Sequence, residues 1–383
     1  MLSNTVKGET KVKWISSLTM LFTFFSIISG KVMYGRRHPL THSKIHSSKQ
    51  LELSVIVPAR DEAQRLPRLL KSLAQQTVSV EIIVMDDGST DQTAEIARAA
   101  GASVYSVQAD KPSLWQGKSL ACYQGATYAS TPLLLFVDAD VTLTSPRAIQ
   151  ALIDTYYQQD YRGLLSVQPY HSTIRPYESL SALFNTLTVV GTNQFSLIDG
   201  QQTTRVAFGP VVLTNSTDYK STQGHQQAKH HIIEGFALGQ AYSQQGLPVN
   251  LYEGQQDIQF RMYEDGIQSL VHGWVKHFSV GATATSPKVM TSIVIWLMGS
   301  IITASGLILS LLVKPISKVN MGILYILYTM QFIRIHRRVG HFSRWMLCLH
   351  PILFIFFSGV FLSSWIQSYC KRSVIWKGRT YHL

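Results

Sequence analysis

Short apolar segments alternate with amphipathic ones over the first part of the polar region, residues 51–145. The apolar segments are rich in β-branched residues or leucine and have the length of buried strands. These predicted strands are 51–58, 80–87, 102–107 and 132–140. The predicted helices, with apolar positions at helical spacing, are 65–76, 88–100 and 117–129. Ser89 and Gln92 fit a capping box at the start of the second helix. This alternation predicts an α/β fold on a parallel sheet.

The pattern is less regular over residues 146–288. Further strands are predicted at 163–171 and 206–214, and a further helix at 177–190. Residues 259–277 read as an amphipathic helix at a membrane face, with Trp274 on its apolar side and Arg261 and Lys276 as basic anchors.

Long apolar segments flank this polar region on both sides. They are 14–33, 289–313, 319–335 and 345–367. The first lacks a cleavage signal and is expected to be an anchor, whereas the second and fourth are long enough to span a bilayer. The third ends at basic residues and either spans or lies in the interface. The chain is therefore expected to be a multi-pass protein of the cell membrane.

Composition supports a membrane setting. The 383 residues are 46% hydrophobic and only 15% charged, and the net charge is +12. Much of the basic excess stands beside the apolar segments, which favours an anionic lipid surface as its partner and not nucleic acid. Basic clusters around Arg36 and Arg338 would place the polar region in the cytoplasm. The three cysteines form no CxxC pair, as expected in a reducing compartment.

Acidic residues follow three of the predicted strands, in "ARDE" (59–62), "DDGS" (86–89) and "DAD" (138–140). Taken singly, each could be a turn residue or a helix cap. Parallel strands bring their carboxyl ends to one edge, and so many carboxylates repel one another unless a cation is bound. Mg²⁺ or Mn²⁺ is the expected cofactor, since such ions bind carboxylate oxygens together with substrate phosphates. The glycine fingerprints of P-loop and dinucleotide-binding proteins are missing from the first crossover.

Four motifs in this order, "SVIVPARDE", "VMDDGSTD", "GKSLACYQGA" and "FVDADV", resemble the nucleotide-sugar domain of family 2 glycosyltransferases, which have the GT-A fold. The resemblance implies an inverting hexosyltransferase with a donor half at 51–145 and an acceptor half at 146–288. It implies that the nucleoside is bound by Pro58, Arg60, Glu62 and Asp87. It further implies that Lys118 lies near the diphosphate or sugar, and that Asp138 and Asp140 form the metal-binding DxD pair, with Asp140 the more direct ligand.

The segment "HHIIEGFALG" (230–239) resembles the family segment that carries a Glu-Asp pair, whose Asp is the general base. Here the pair is Glu234-Gly235. A hydroxyl acceptor must lose a proton as it attacks, whereas a carboxylate is already ionised at neutral pH. We therefore expect a carboxylate acceptor, and expect Gly235→Asp to help only an enzyme that uses hydroxyls. The alternative is a polyprenyl-phosphate or lipid hydroxyl acceptor, with Glu234 as the base.

Processive members of the family carry a QxxRW motif near residue 260, and this chain lacks it. Polymer synthesis is therefore not expected. Arg261, Trp274 and Lys276 would act on the diphosphate or acceptor, or would anchor an interfacial helix. Over its whole length the chain also resembles membrane glycosyltransferases of carotenoid synthesis. This implies UDP-glucose as donor, the carboxyl end of a bilayer-dissolved C30 carotenoid acid as acceptor, and other enzymes of carotenoid synthesis as candidate partners.

Overall fold

The computed structural model describes residues 2–42, 52–108, 115–199, 206–229, 231, 234–281, 285–314, 316–370, 373–376 and 379–382. The chain forms two compact units. The helical unit comprises 1–36, 173–201 and 263–372. The sheet unit comprises 37–172, 202–262 and 373–383.

The helices and strands are these. The helices are α1 (Leu2–Met33), α2 (Leu66–Ala74), α3 (Thr93–Ala99), α4 (Lys118–Tyr128), α5 (Ala148–Tyr157), α6 (Ala182–Val190), α7 (Ser216–Ser221), α8 (Glu234–Gln244), α9 (Ile267–Gly281), α10 (Pro287–Leu312), α11 (Lys318–His336), α12 (Arg344–Cys348) and α13 (His350–Cys370). The strands are β1 (Leu53–Ala59), β2 (Glu81–Asp86), β3 (Ser103–Ser106), β4 (Leu133–Val137), β5 (Val141–Leu143), β6 (Leu164–Gln168), β7 (Tyr170–His171), β8 (Val211–Asn215), β9 (Val249–Glu253), β10 (Ile258–Phe260), β11 (Ser373–Trp376) and β12 (Arg379–His382). Two 3-10 helices, Pro176–Ser181 and Gly224–Ala228, complete the list.

The sheet unit is built on a seven-stranded sheet with the order β3-β2-β1-β4-β8-β6-β9. The four strands β3, β2, β1 and β4 are parallel, as the alternating pattern predicts. Strand β8 runs antiparallel to both β4 and β6 and makes the sheet mixed. The α/β fold class predicted from the sequence is therefore confirmed, and its parallel part carries the strand ends with the acidic residues.

The core of the sheet unit follows the two-residue period of its strands. Val55 and Leu135 face one side, in a cluster with the leucines of α2. Ile56 and Phe136 face the other side, where they pack against α4. Burial on both faces explains why β1 and β4 read as continuous apolar runs.

Two local predictions are wrong. Helix α3 begins at Thr93, and Gln92 at its N-cap makes no side-chain capping bond. Asp91 caps the helix instead, because its carboxylate accepts a hydrogen bond of 3.0 Å from the Thr93 amide. Residues 259–277 are not one helix: 258–260 form β10, which pairs with β5 and β7, and α9 starts only at Ile267.

In the helical unit, α1 packs along α10 through small residues. The Ser26 hydroxyl lies 2.8 and 2.9 Å from the carbonyl oxygens of Phe22 and Ile295. A Cβ added at Gly299 would lie 2.6 Å from the Cβ of Ser26, and one at Gly306 would lie 2.9 Å from Thr19. Such close approach between small residues is typical of helix pairs in membranes.

Within the described residues, two helices have the length and composition needed to cross a membrane. They are Trp14–Met33, with a mean hydropathy of 1.5, and Pro287–Leu312, with 2.1. His350–Ile366 is a shorter apolar helix. The segment predicted at 345–367 is divided between α12 and α13, which are separated at Leu349.

Candidate active site

The loops after β1 and β2 are tied to each other. The Asp87 amide donates a 2.9 Å hydrogen bond to the Ala59 carbonyl, and the Arg60 guanidinium donates to the Asp87 carbonyl at 3.0 Å. The Asp61 carboxylate accepts from the Thr90 amide at 2.8 Å. Pro58 stands beside Met85 in the register of β1 and β2. These bonds bring together Pro58, Arg60 and Asp87, which the resemblance assigns to the nucleoside.

Asp138 and Asp140 lie in a tight turn between β4 and β5. The Asp138 amide donates to the Pro210 carbonyl at 2.9 Å, and the Val141 amide donates back to the Asp138 carbonyl at 3.1 Å. From β10, the Arg261 amide approaches the Asp140 carbonyl at 3.4 Å. Arg261 therefore stands beside the acidic turn, at the end of a strand and not on the helix predicted for it.

Lys118 joins this turn to Glu234, the first residue of α8, and to the segment before β8. Its ammonium nitrogen lies 2.8 Å from Asp138 Oδ1 and 2.9 Å from Asp138 Oδ2. It also lies 2.5 Å from Glu234 Oε1 and donates to the Gly209 carbonyl at 3.2 Å. The residue starts α4, directly after Gly117 with its φ of 79°. The site thus contains a partly buried cluster of one ammonium between two carboxylates.

Burial and mutual repulsion disfavour negative charge on the acidic pair. Burial, followed by the charges of Asp138 and Glu62, raises the pKa of Asp140 to about 7. Burial also raises the pKa of Asp138, to about 6, although Lys118 opposes the shift. Among the described residues no group of three or more His, Cys, Asp or Glu side chains forms a ready metal site. The two oxygen donors nevertheless suit a hard divalent ion whose remaining ligands come from substrate phosphates and water.

Divalent metal binding should weaken as the pH falls from 8 to about 6. Since the carboxyl pKa values are raised, to about 7 for Asp140 and about 6 for Asp138, both groups are increasingly protonated over this interval. A protonated carboxyl loses most of its affinity for a cation. Titration of the purified protein with Mn²⁺ at a series of pH values measures this, and an affinity that stays level from pH 8 to 6 would contradict it.

Glu234 is held in its ionised form by Lys118. Burial acts against the charge, but the Lys118 ammonium outweighs it and lowers the pKa of Glu234 to about 2. In turn, burial opposes the charge of Lys118, and Asp138 and Glu234 outweigh it and raise the pKa of the ammonium. The carboxylate is a weak base that already has a cationic partner.

Two glycines make room for this arrangement. A Cβ at Gly209 would lie 2.4 Å from Glu234 Oε1. A Cβ at Gly235 would lie 2.1 Å from the Ala207 carbonyl oxygen, and the Ala207 amide donates to the Gly235 carbonyl at 3.0 Å. No side chain fits at 235 without moving the backbone, so packing alone requires glycine at this position.

The remaining predicted residues are not all at the acidic turn. The Glu62 carboxylate pairs with Arg65 at 3.2 Å, and its charge acts on Asp140. Trp274 belongs to the helical unit, where it is buried, donates to Ser181 Oγ at 3.1 Å and stacks on Phe184 at 4.9 Å. The indole of Trp274 therefore packs and hydrogen-bonds within the helical unit. The side chain of Lys276 lies outside the described residues.

Sequence reasoning missed Arg65 and His225. The positive charge of Arg65 lowers the pKa of Asp140, against its burial. The His225 ring is buried against Phe136 at 4.6 Å and hydrogen-bonds Tyr219 Oη through Nδ1 at 3.0 Å. Burial lowers the pKa of His225 to about 3, so the imidazole near Glu234 is neutral. Arg65 stands three residues after Glu62, a spacing that hints at the pair, whereas no local pattern marks His225.

Comparison with known proteins gives consistent matches. The model of glycosyl transferase family 2 matches residues 54–208. The 4,4'-diaponeurosporenoate glycosyltransferases of Staphylococcus aureus strains USA300 and MRSA252 are each 50% identical over 372 residues, which cover 97% of this chain and 99% of theirs. A solved structure, mannosyltransferase PcManGT from Pyrobaculum calidifontis in complex with GDP-Man and Mn²⁺, is 11% identical and superposes with a TM-score of 0.52. The match covers 95% of this chain and 99% of the mannosyltransferase chain, and it supports the fold alone.

Proposed function

The chain belongs to glycosyl transferase family 2, and from this premise we propose that it transfers glucose from UDP-glucose to 4,4'-diaponeurosporenoate. The product is a glycosyl ester on the terminal carboxyl of this C30 carotenoid acid, a step of staphyloxanthin synthesis. The name and the high identity of the Staphylococcus aureus relatives support the acceptor. The acidic turn and Lys118 support a nucleotide-sugar donor.

One observation carries the choice of a carboxylate acceptor: the Glu234 carboxylate is paired with Lys118 at 2.5 Å. A hydroxyl acceptor needs a base to take its proton, and Glu234, with its pKa lowered to about 2, is poorly suited to that task. Gly235 supplies no side chain in its place. An acceptor that arrives ionised avoids the requirement. A phosphate would avoid it too, and the name of the relatives favours the carboxylate.

The mechanism is proposed to be a single in-line displacement at the anomeric carbon, with inversion. The acceptor carboxylate attacks, and the bond between that carbon and the diphosphate oxygen breaks. Asp138 and Asp140 would hold Mg²⁺ or Mn²⁺, which stabilises charge on the leaving diphosphate. Lys118, beside Asp138, would add a second positive charge near the leaving group. The loops after β1 and β2, with Arg60, Glu62 and Asp87, would orient the nucleoside. Arg261, whose amide lies beside the Asp140 carbonyl, would act on the diphosphate or acceptor.

We further propose that the protein is a multi-pass membrane protein with its sheet unit in the cytoplasm. Segments 14–33, 289–313 and 345–367 would hold it in the bilayer, with 319–335 spanning it or lying at its surface. The two long apolar helices, Trp14–Met33 and Pro287–Leu312, support this placement. A long polyene acid dissolves in the bilayer, so an enzyme held there meets its acceptor directly. Residues 51–145 are then the donor half and 146–288 the acceptor half.

The test uses membranes that contain the full chain, labelled UDP-glucose and Mn²⁺. One sample receives a long polyene carboxylic acid, a second the corresponding alcohol, and a third a polyprenyl phosphate. We expect label only in a lipid that forms from the acid and is cleaved by mild alkali. An alkali-stable glycoside of the alcohol would refute the carboxylate acceptor and return Glu234 to the role of base. Transfer to the polyprenyl phosphate alone would refute the carotenoid acceptor.

A further inference from the structure

We infer that Lys118 is the resident cation of the metal-free site, and that Glu234 receives its ammonium when a divalent ion takes Asp138. Lys118 would thus compete with the metal in the resting enzyme and serve the diphosphate only after metal binding. Glu234 would be a positioning residue. The inference rests on the proposed metal site at Asp138 and Asp140.

The hydrogen bonds of Lys118 show that its ammonium is fully used. A lysine ammonium has three N–H donors. Here it contacts three partners: Asp138 at 2.8 and 2.9 Å, Glu234 at 2.5 Å and the Gly209 carbonyl at 3.2 Å. No donor remains for a substrate oxygen. Lys118 can therefore assist a leaving diphosphate only if it gives up one of these partners.

Asp138 is the partner that it can give up. Both carboxylate oxygens of Asp138 lie within 2.9 Å of the ammonium, so a metal ion bound to the same group would be strongly repelled by the lysine. Glu234 contacts the same ammonium at 2.5 Å and can hold it after Asp138 turns to the metal. Because the charge keeps a partner in this partly buried site, the exchange avoids the cost of an unpaired buried ammonium.

The glycine at 209 fits this role of Glu234. A Cβ there would lie 2.4 Å from Glu234 Oε1 and 3.1 Å from the Lys118 nitrogen. The absence of a side chain lets the ion pair stand directly against the backbone, where the Gly209 carbonyl accepts from the same ammonium. Glu234 and the Gly209 carbonyl together form a second binding position for the Lys118 ammonium, and this position does not involve the acidic turn.

The experiment measures Mn²⁺ binding to the full-length protein in detergent, without nucleotide, at pH 8, by electron paramagnetic resonance of the free ion. We compare the wild type with Lys118→Met, Glu234→Gln and the double variant. Lys118→Met should bind Mn²⁺ at least about tenfold more tightly, because it removes a positive charge beside the metal. Glu234→Gln should bind severalfold more weakly, because Lys118 then turns wholly to Asp138. The double variant should bind as Lys118→Met does.

The two neighbouring substitutions are thus expected to act in opposite directions. The double variant separates the proposed exchange from a direct effect of the Glu234 charge, because a direct effect would weaken Mn²⁺ binding in the Lys118→Met background as well and would overturn the inference. Lys71→Met, at an exposed position of α2, is the matched control and should bind as the wild type does. Equal or weaker Mn²⁺ binding by Lys118→Met would overturn the inference while leaving the proposed function intact. If Lys118→Met fails to fold, unchanged or tighter binding by Glu234→Gln would overturn it. If neither the wild type nor any variant binds Mn²⁺, the proposed metal site fails as well.

Discussion

Replacing Asp140 with asparagine should lower glycosyl transfer by about a thousandfold. The substitution keeps the shape of the side chain but removes one of the two charges that would hold the divalent ion at the acidic turn. Without the ion, only Lys118 would stabilise the charge on the departing diphosphate. Loss of such electrostatic stabilisation typically lowers the reaction rate by a factor of about 10²–10³ or more. The measurement is transfer of labelled glucose to the polyene acid, together with an Mn²⁺ titration.

Asp160→Asn is the control for this substitution. Asp160 lies in the loop after α5 with a φ of 55°, a conformation that asparagine tolerates, and it stands outside the site. The rate of glycosyl transfer by Asp160→Asn should equal that of the wild type. Transfer by Asp140→Asn at more than a tenth of the wild-type rate, with unchanged Mn²⁺ affinity, would rule out Asp140 as a metal ligand.

Substitution of Gly235 should damage the fold. A Cβ at this position would lie 2.1 Å from the Ala207 carbonyl oxygen and 3.0 Å from its carbonyl carbon, which is backbone and cannot rotate away. Gly235→Ala should therefore destabilise the protein by about 2–3 kcal/mol, the upper part of the range of about 1–3 kcal/mol for overpacked sites, and Gly235→Asp by more. The backbone bond from the Ala207 amide, 3.0 Å long, would be strained as well. Thermal unfolding of the detergent-solubilised protein measures both variants.

Gly322→Ala is a matched control, because nothing lies within 4 Å of a Cβ at that helical position. It should be neutral or slightly stabilising, as alanine is the better helix former. A Gly235→Asp variant that unfolds at the wild-type temperature and gains transfer to alcohols would contradict the packing argument. It would also support the alternative of a hydroxyl acceptor.

Gly235 illustrates what the sequence could and could not reveal. Beside the Glu-Asp pair of the family, Gly235 reads as a missing base, but a sequence motif contains no information on the space around a residue. The collision with Ala207 involves a residue far away in the chain, and only the folded structure brings the two together. The pairing of Lys118 with Glu234 is hidden for the same reason. The proposal of a carboxylate acceptor rests more on the ion pair of Glu234 with Lys118 than on the glycine at position 235.

Local sequence patterns were sufficient to predict the strands that are buried on both faces. Strands β1 and β4 are continuous apolar runs, and their prediction also located the acidic turn. The prediction failed at Phe260, because three residues of strand are too few to leave a period of two. The pairing of β10 with β5 and β7 outweighs the helical spacing of the residues that follow. The result places Arg261 beside Asp140, closer to the proposed chemistry than a membrane-facing helix would place it.

The pairing of α1 with α10 has a consequence for how the protein is made. Ser26 and its contact at Ile295 are 269 residues apart, so at about 5–20 residues per second the ribosome needs roughly 13–54 s to supply the partner. In the membrane placement proposed above, α1 would be in the bilayer without its partner during that time. Three of its hydroxyl groups have partners within the helix meanwhile, since Thr19, Thr23 and Ser26 each donate to a carbonyl four residues earlier, at 2.7–2.9 Å. The proposed membrane placement therefore implies that α1 is inserted early as an independent helix and that α10 packs against it later.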